Sequence, residues 1–386
     1  MLKNYFADLH IHIGRNIKNK PVKITASKDL TLTKIMKEAS ERKGIDIVGI
    51  IDCHAPTVCK ELEKALEEGI AYELDDGGIQ FNQTTLILGS EIEIYDKHCK
   101  GPIHVLCYFP YLQNMKEFSK WLTSRMKNVE LSSQRYYGEA VDLQAKTAEL
   151  EGLFIPAHVF TPFKSLYGKG VSRSLTEVLN RNLIDAVELG LSSDTEMADQ
   201  IDELRSFTYL TNSDAHSLAK IAREYQQVLL QSPSFLELKK ALKNEQGRKI
   251  VANYGMNPKL GKYYRTVCAS CLSPYSGEQC DQCGSVKFIK GVSERIGELA
   301  SESNRKLDRP AYTYQVPLEF LPKLGPKTLD KLLDHFGTEM NVIHRVPLDE
   351  LEKVVGAKLA NMIIQMREGS LLLNEGGGGR YGTIKD

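Results

Sequence analysis

The sequence carries no surplus of either charge, with 50 lysines plus arginines against 50 aspartates plus glutamates in 386 residues. That balance excludes a uniformly basic nucleic-acid coat and an acidic disordered chain, while leaving room for a local basic groove. No apolar run approaches the ~18 residues of a membrane span, and the N-terminal MLKNYFADLH lacks the apolar core of a signal peptide. The 8 cysteines are too sparse for a disulfide framework. These absences predict a cytoplasmic, reduced protein with no membrane partner. What is present, 42% hydrophobic and 26% charged residues, is a globular composition. The length exceeds one average domain of ~100–200 residues, so two or three folding units are expected.

Up to about residue 250, short β-branched runs alternate with amphipathic helical runs, the pattern of βα units around a parallel sheet. Strands are predicted at 5–11, 45–51, 85–95, 103–109, 153–159, 184–190 and 207–213. Helices such as KDLTLTKIMKEASERKG and VCKELEKALEEG end on Gly44 and Gly69, as helix C-caps do. Seven strands with crossover helices predict an α/β barrel over residues 1–255. A cysteine-bearing segment (256–292), a polar linker (293–317), a helical region with two glycine interruptions (318–370) and a glycine-rich tail (371–386) follow. The cations in excess after residue 254 are too few to mark a DNA-binding tail.

Histidines and carboxylates concentrate at the predicted strand ends. His10 and His12 lie in DLHIH, His54 in IDCH, His158 in PAHVF and His216 in SDAH, with Asp8, Asp52, Glu91 and Asp214 beside them. His104, in GPIHV, instead falls at a strand start. In α/β barrels the strand C-termini form the active-site face, so these residues would converge there. Imidazole and carboxylate are the ligands of zinc, manganese or iron, and a carboxylate between two metals bridges them. Such a pair, ~3.5–4 Å apart, binds phosphate oxygens and generates hydroxide from water. His98, His335 and His344 lack this setting and read as solvated or packed. Cys53, Cys59, Cys99 and Cys107 have no metal-ligand spacing and read as small core residues or loop thiols.

Cys268 and Cys271 in CASC and Cys280 and Cys283 in CDQC form two knuckles. Two knuckles turn four thiolates toward one point, the closed tetrahedral site of structural zinc. A segment this small needs the metal to fold. Lys259, Lys262, Tyr263, Tyr264, Arg265, Lys287 and Lys290 around it combine charge with aromatic faces, suited to nucleic acid or to an ordinary solvated surface.

In LPKLGPKTLDKLL a glycine turn opens a helix, offering free N–H groups and the helix dipole to a phosphate, and VVGAKLANMI repeats the arrangement. Two such turns resemble tandem helix-hairpin-helix motifs, which implies backbone contact with DNA through Gly325, Lys327, Thr328, Gly356 and Lys358. A small helical bundle for protein contact is the other reading. The GGGGRYG tail is either a flexible end or a means of delivering Arg380 and Tyr381 to DNA or to the barrel mouth.

The ordered blocks DLHIH, DCH, GSE, H and SDAH resemble the polymerase and histidinol phosphatase (PHP) superfamily over residues 5–216. The resemblance implies a distorted seven-stranded barrel holding two or three divalent metals, zinc, manganese or magnesium. By position, His10, His12, Glu91 and Asp214 would hold one metal, Glu91, His104 and His158 a second, and His54 and His216 a third. Asp214, Glu91 and His216 would be catalytic. Where the superfamily commonly has a further histidine after HxH, this chain reads GRNIKNK. A third site would then be completed by water, substrate phosphate or a carboxylate such as Asp52.

A PHP barrel, a four-cysteine zinc segment and tandem hairpins in this order resemble the endonuclease Q family, as do the strings HVFTPFKSLYG, ELGLSSD and RPAYTYQVPLEFLP. That implies repair incision on the 5′ side of deaminated bases (uracil, hypoxanthine, xanthine) and of abasic sites, with the base flipped from the stack. The loops at 161–170 and 191–194 are the expected pocket for that base. The partner is then lesion-bearing DNA, bound by a monomer; the C-terminus shows no clear sliding-clamp motif. A 3′–5′ exonuclease or polymerase-accessory nuclease would keep the DNA modules but need free ends. A histidinol-phosphatase-type enzyme would leave the zinc segment and hairpins without a role, and a non-catalytic adaptor would not need the ligands.

Overall fold

Seven strands close the barrel of the computed structural model, which describes all residues except 276, 302–306, 375–381, 385 and 386. Arg380 and Tyr381 lie outside the described residues. The strands are β1 (Lys3–Ile11), β2 (Ile47–Ile50), β3 (Thr84–Ile94), β4 (Ile103–Phe109), β5 (Leu153–Pro156), β6 (Val187–Glu188) and β7 (Tyr209–Leu210). Pairing is parallel for β1–β2, β2–β3 and β6–β7. It is antiparallel for β3–β4 and β4–β5. The sheet is therefore mixed rather than wholly parallel, because the stretch between β3 and β4 is too short for a crossover helix and folds back as a hairpin. Pairs of backbone bonds close the remaining gaps: Asp185 N to Phe154 O and Val159 N to Glu188 O (3.0 Å each) join the β5 and β6 segments, and Ala215 N to His10 O (3.0 Å) and His12 N to Ala215 O (3.1 Å) return the chain beyond β7 to β1.

Helices cover the outside. After α1 (Leu32–Lys37) the chain makes a wider turn over Glu38–Lys43 and stops at Gly44, whose φ of 75° a side chain would resist. Proline opens α2 (Pro56–Glu67), which buries Val58, Cys59, Leu62 and Ala65 at helical spacing. α3 (Leu112–Thr123) and α4 (Ala140–Glu149) continue the layer. With helices outside and side chains inside, β3 is buried along nearly its whole length. α5 (Phe235–Leu242) closes the floor, its Phe235, Leu238 and Ala241 joining Ala7, Leu9, Ile87, Leu106 and Ile155 of the barrel interior. Cys53, Cys59, Cys99 and Cys107 are all buried.

The sheet extends beyond the barrel. β8 (Tyr225–Leu230) runs antiparallel to β1 and β9 (Lys249–Gly255) antiparallel to β8, while β10 (Ala311–Tyr314) lies parallel to β9. The stretch read as a linker thus carries most of α6 (Val292–Leu299) and the whole of β10. α7 (Pro326–Phe336), α8 (Glu339–His344), α9 (Leu348–Val355) and α10 (Ala357–Arg367) form the C-terminal unit. It is seated on the barrel by a buried Lys43–Glu339 pair at 2.9 Å. His344 stacks on Phe6 at 4.6 Å between centroids and accepts a 2.6 Å hydrogen bond from the Tyr225 hydroxyl. Burial pushes His344 down to about 4, which keeps its nitrogen neutral and able to accept. Among the described residues no helix is long and apolar enough to cross a membrane.

Candidate active site

A bulge in β1 aims its two histidines. The β1–β2 register shifts between Asp8 and Ile11, inserting one residue on β1. Ala7 and Leu9 face the barrel interior, so strict alternation would send His10 and His12 to the outer face. The extra residue turns both back to the open end. Glu91 needs no such device, since it follows Ile87 at even spacing on β3. His104 stands at the start of β4, yet β4 runs antiparallel to β3, which brings its first residue to the same open end. His158 and Asp214 follow β5 and β7, with φ values of 31° and 45° that non-glycine residues seldom adopt. At Gly190 (φ 78°) a Cβ would lie 2.8 Å from that of His158, so the histidine's seat requires glycine there.

Two three-ligand groups result. In one, the Nε2 atoms of His10 and His12 each lie 3.4 Å from Asp214 Oδ1. In the other, Glu91 Oε1 lies 2.8 Å from His104 Nδ1 and 3.3 Å from His158 Nε2. Glu91 spans both groups, its Oε1 standing 3.5 Å from His10 Nε2. Among the described residues His54 and His216 join no third group of this kind. His54 Nδ1 pairs with the Ser90 hydroxyl at 2.8 Å, and the His216 ring lies 4.6 Å from that of His12.

Three functional side chains escaped sequence reasoning or were given only a marginal place in it. Glu188 accepts from His10 Nδ1 (2.9 Å), Asn212 Nδ2 (2.8 Å) and the backbone N–H of His158 (2.8 Å). Asp52 accepts from His12 Nδ1 at 3.2 Å. Each carboxylate fixes an imidazole so that Nε2 faces the groups above, the arrangement that orients metal-binding histidines. Lys23 reaches Glu91 Oε2 at 3.1 Å. A lone glutamate in IDAVELG and a lysine in PVKIT carry no periodic or spacing signal.

The electrostatics follow. Burial would raise the Asp214 carboxyl, but His10 and the other imidazoles hold it well below the usual carboxylate range. Glu91 is likewise held far down against its burial by His104 and Lys23. Burial opposes the charged form of His10, and Glu188 and Asp214 outweigh it, raising that imidazole well above its ordinary value. Burial lowers His54, and burial with His12 lowers His216.

The donor set suits divalent metals. His10 Nε2, His12 Nε2, His104 Nε2, His54 Nε2 and Asp214 Oδ1 are buried without a hydrogen-bond partner among the described residues. Orphaned atoms of this kind are costly singly, and a cation satisfies several at once. Of these residues, His104 and Asp214 line a cavity of about 500 Å³, walled also by Thr161, Pro162, Phe163, Lys164, Gly190, Leu191 and Ser192. Lys262 and Tyr263 reach its rim.

The second cluster stands apart. Cys268 and Cys283 sulfurs are 3.6 Å apart and those of Cys271 and Cys280 3.5 Å. Tetrahedral zinc with ~2.3 Å bonds sets sulfurs ~3.8 Å apart, so the four fit. At the hairpins, Gly325 precedes α7 and Gly356, with φ 80°, joins α9 to α10. Gly325, Lys327, Gly356 and Lys358 are exposed. Lys323, Thr328 and Lys358 line one cleft of about 200 Å³, which puts both hairpins on a common face.

A barrel whose open end gathers histidines and carboxylates into two adjoining three-ligand groups is built as a metal-dependent phosphoesterase. No family model matches the chain. It is 55% identical over 386 residues to the uncharacterized protein YqxK of Bacillus subtilis (strain 168), covering all of both chains. It is 38% identical over 254 residues to the uncharacterized protein MJ0043 of Methanocaldococcus jannaschii, spanning 58% of this chain and 31% of that one. Among solved structures, the lesion-specific endonuclease Q of Pyrococcus furiosus matches with a TM-score of 0.85 and 32% identity, over 99% of this chain and 95% of that one. An endonuclease Q bound to a 27-mer duplex with an abasic lesion at its active site matches with a TM-score of 0.84 and 32% identity, over 99% and 96%. The chain belongs to the endonuclease Q family and is a nuclease.

Proposed function

We propose that the protein is a DNA repair endonuclease that opens the phosphodiester bond on the 5′ side of uracil, hypoxanthine, xanthine and abasic sites, leaving 3′-hydroxyl and 5′-phosphate ends. The reading is carried by the two adjoining ligand groups, with Glu91 of the second 3.5 Å from His10 of the first, at a cavity of about 500 Å³. In this reading His10, His12, Glu91 and Asp214 hold one divalent metal and Glu91, His104 and His158 another, zinc, manganese or magnesium. His54 and His216 serve a third only with help from water, phosphate or Asp52. Bound metals supply Lewis acidity to the phosphate and lower the pKa of water. Glu188 and Asp52 hold the ligand imidazoles in the tautomer with Nε2 free.

Base selection follows from edge chemistry. Deamination replaces an exocyclic amine donor by a carbonyl acceptor and protonates the neighbouring ring nitrogen, so uracil and hypoxanthine offer the same edge. A pocket with a donor for that carbonyl and an acceptor for the ring N–H takes both and leaves cytosine or adenine unpaired. Weak pairing at the lesion makes flipping less costly. The walls of the cavity from 161–164 and 190–192 are assigned to this task. Gly325, Lys327, Thr328, Gly356 and Lys358 hold the DNA backbone, and Cys268, Cys271, Cys280 and Cys283 bind structural zinc.

The test is a panel of end-labelled duplexes carrying uracil, hypoxanthine, xanthine, an abasic site or no lesion, with and without chelator. Lesion-dependent, chelator-sensitive cutting one bond 5′ of the lesion is expected. Equal cutting of undamaged duplex, or Asp214→Asn retaining full turnover, would overturn the reading.

A further inference from the structure

Lys23 is the one cation drawn into the heart of the carboxylate cluster among the described residues, and neither ligand group uses it. Its backbone is fixed there: Lys23 N donates to Ile13 O at 2.8 Å and Val22 N to Gly14 O at 3.0 Å, folding the segment back over the end of β1. The side chain is 14% exposed, and its Nζ donates to Glu91 Oε2 at 3.1 Å and to the Ser133 hydroxyl oxygen at 2.6 Å. Ser133 in turn donates a short bond to the same Glu91 oxygen. Lys23, Glu91, Ser133, His158 and Asp214 all line the cavity.

An ammonium has three N–H donors, and the two bonds above leave one for a ligand. Lys23 also lies just beyond GRNIKNK, the stretch in which the superfamily resemblance expects a further histidine and this chain has none. A buried lysine among ligand carboxylates weakens their pull on a metal unless its charge serves another purpose. Phosphodiester hydrolysis provides one, because the phosphoryl oxygens gain negative charge on the way to the transition state, and a fixed donor there stabilises that state without reorganising.

We propose that Lys23 is a catalytic residue whose ammonium donates a hydrogen bond to a non-bridging oxygen of the scissile phosphate, supplying a fixed positive charge beside the two ligand groups. The proposal rests on the endonuclease reading above. Lys23 transfers no proton and forms no bond to phosphorus; it neutralises charge and holds the phosphate in the cavity beside the ligand groups.

The experiment compares wild type, Lys23→Ala, Lys23→Met and Lys23→Arg in single-turnover cutting of a duplex with one abasic site, with DNA affinity and metal content measured on the same preparations. Lys23→Met keeps most of the buried stem and guards against a packing defect. The expected loss for Ala and Met is about 10²–10³-fold in the cutting rate, as for removal of an oxyanion donor. Duplex affinity should change by less than about threefold and metal content should not change, because most binding energy comes from contacts elsewhere on the backbone. Adding methylammonium or ethylammonium to Lys23→Ala should restore rate in a saturating manner, whereas tetramethylammonium, which has no N–H, should not. Wild-type cutting by both Ala and Met, loss of metal in parallel with rate, or no rescue by any primary amine would each overturn the proposal. Failure of the wild type itself to cut at the lesion would instead overturn the endonuclease reading.

Discussion

Replacing Glu188 by glutamine removes one charge and no volume, yet it should weaken the hold of the candidate centre on metal. The carboxylate is 1% exposed and receives donors on both oxygens: His10 Nδ1 and Asn212 Nδ2 at Oε1, and the His158 backbone N–H at Oε2. Whichever way the amide of Gln is turned, its NH2 confronts a donor. One buried donor (the His158 N–H) or two (His10 Nδ1 and Asn212 Nδ2) are left unpaired, at a cost of ~1–3 kcal/mol each. In the orientation that turns the NH2 to His10, relief comes from moving the imidazole proton from Nδ1 to Nε2, which makes Nδ1 an acceptor and blocks the atom that faces Asp214; in the other, the His158 N–H is pushed off and its ligand imidazole shifts with it. Lost outer partners of metal-binding histidines typically lower metal affinity by about 10–100-fold, or ~1.4–2.8 kcal/mol. Competition with a chromogenic chelator measures the affinity, and imidazole nitrogen NMR reads the tautomer directly. Wild-type metal affinity in Glu188→Gln, with His10 still protonated on Nδ1, would refute the reasoning.

Further outcomes are expected elsewhere in the molecule. Cys268→Ala with Cys271→Ala should lose the zinc bound by the knuckles, read by metal analysis, and should loosen the Val267–Cys268 and Phe288–Ile289 ribbon, read by hydrogen exchange. Glu224 is buried, which pushes its carboxyl from 4.5 up to about 8 against the opposing Met256 N–H hydrogen bond and the charge of Arg223. A raised folded pKa gives stability that is complete below the unfolded value and lost as pH rises through the folded one. Denaturation at several pH values should therefore show wild-type stability falling from about pH 5 to pH 8 by roughly 3–5 kcal/mol, and Glu224→Gln should flatten that fall. Gly356→Ala should cost ~1–3 kcal/mol through its backbone conformation, since a Cβ there meets nothing within 4 Å, and should weaken duplex binding in a fluorescence titration.

Much of the centre was legible because chemistry and position coincided in the sequence. DLHIH, GSE and SDAH place rare residue types at strand ends, and strand 103–109 was found at its observed limits. The parallel sheet was not recovered in full, because residue periodicity reports burial and says nothing of strand direction. His104 looked misplaced for the same reason: a strand start lies at the open end once its strand runs antiparallel. The bulge in β1 had no signature, since one inserted residue changes which side chains face inward without changing composition. Glu188 and Lys23 were hidden because their roles depend on tertiary neighbours. In sequence they are an acid after a valine and a lysine among lysines.

The buried Lys43–Glu339 pair and the pairing of β10 with β9 have one more consequence. Together they make the distance from hairpin face to barrel mouth a property of the folded core. If the hairpins grip the backbone as proposed, the protein works as a caliper: the number of nucleotides between the gripped phosphates and the cut bond is set once, at folding. Loosening the caliper by exchanging Lys43 or Glu339 should blur where the strand is held before it affects how the bond is broken.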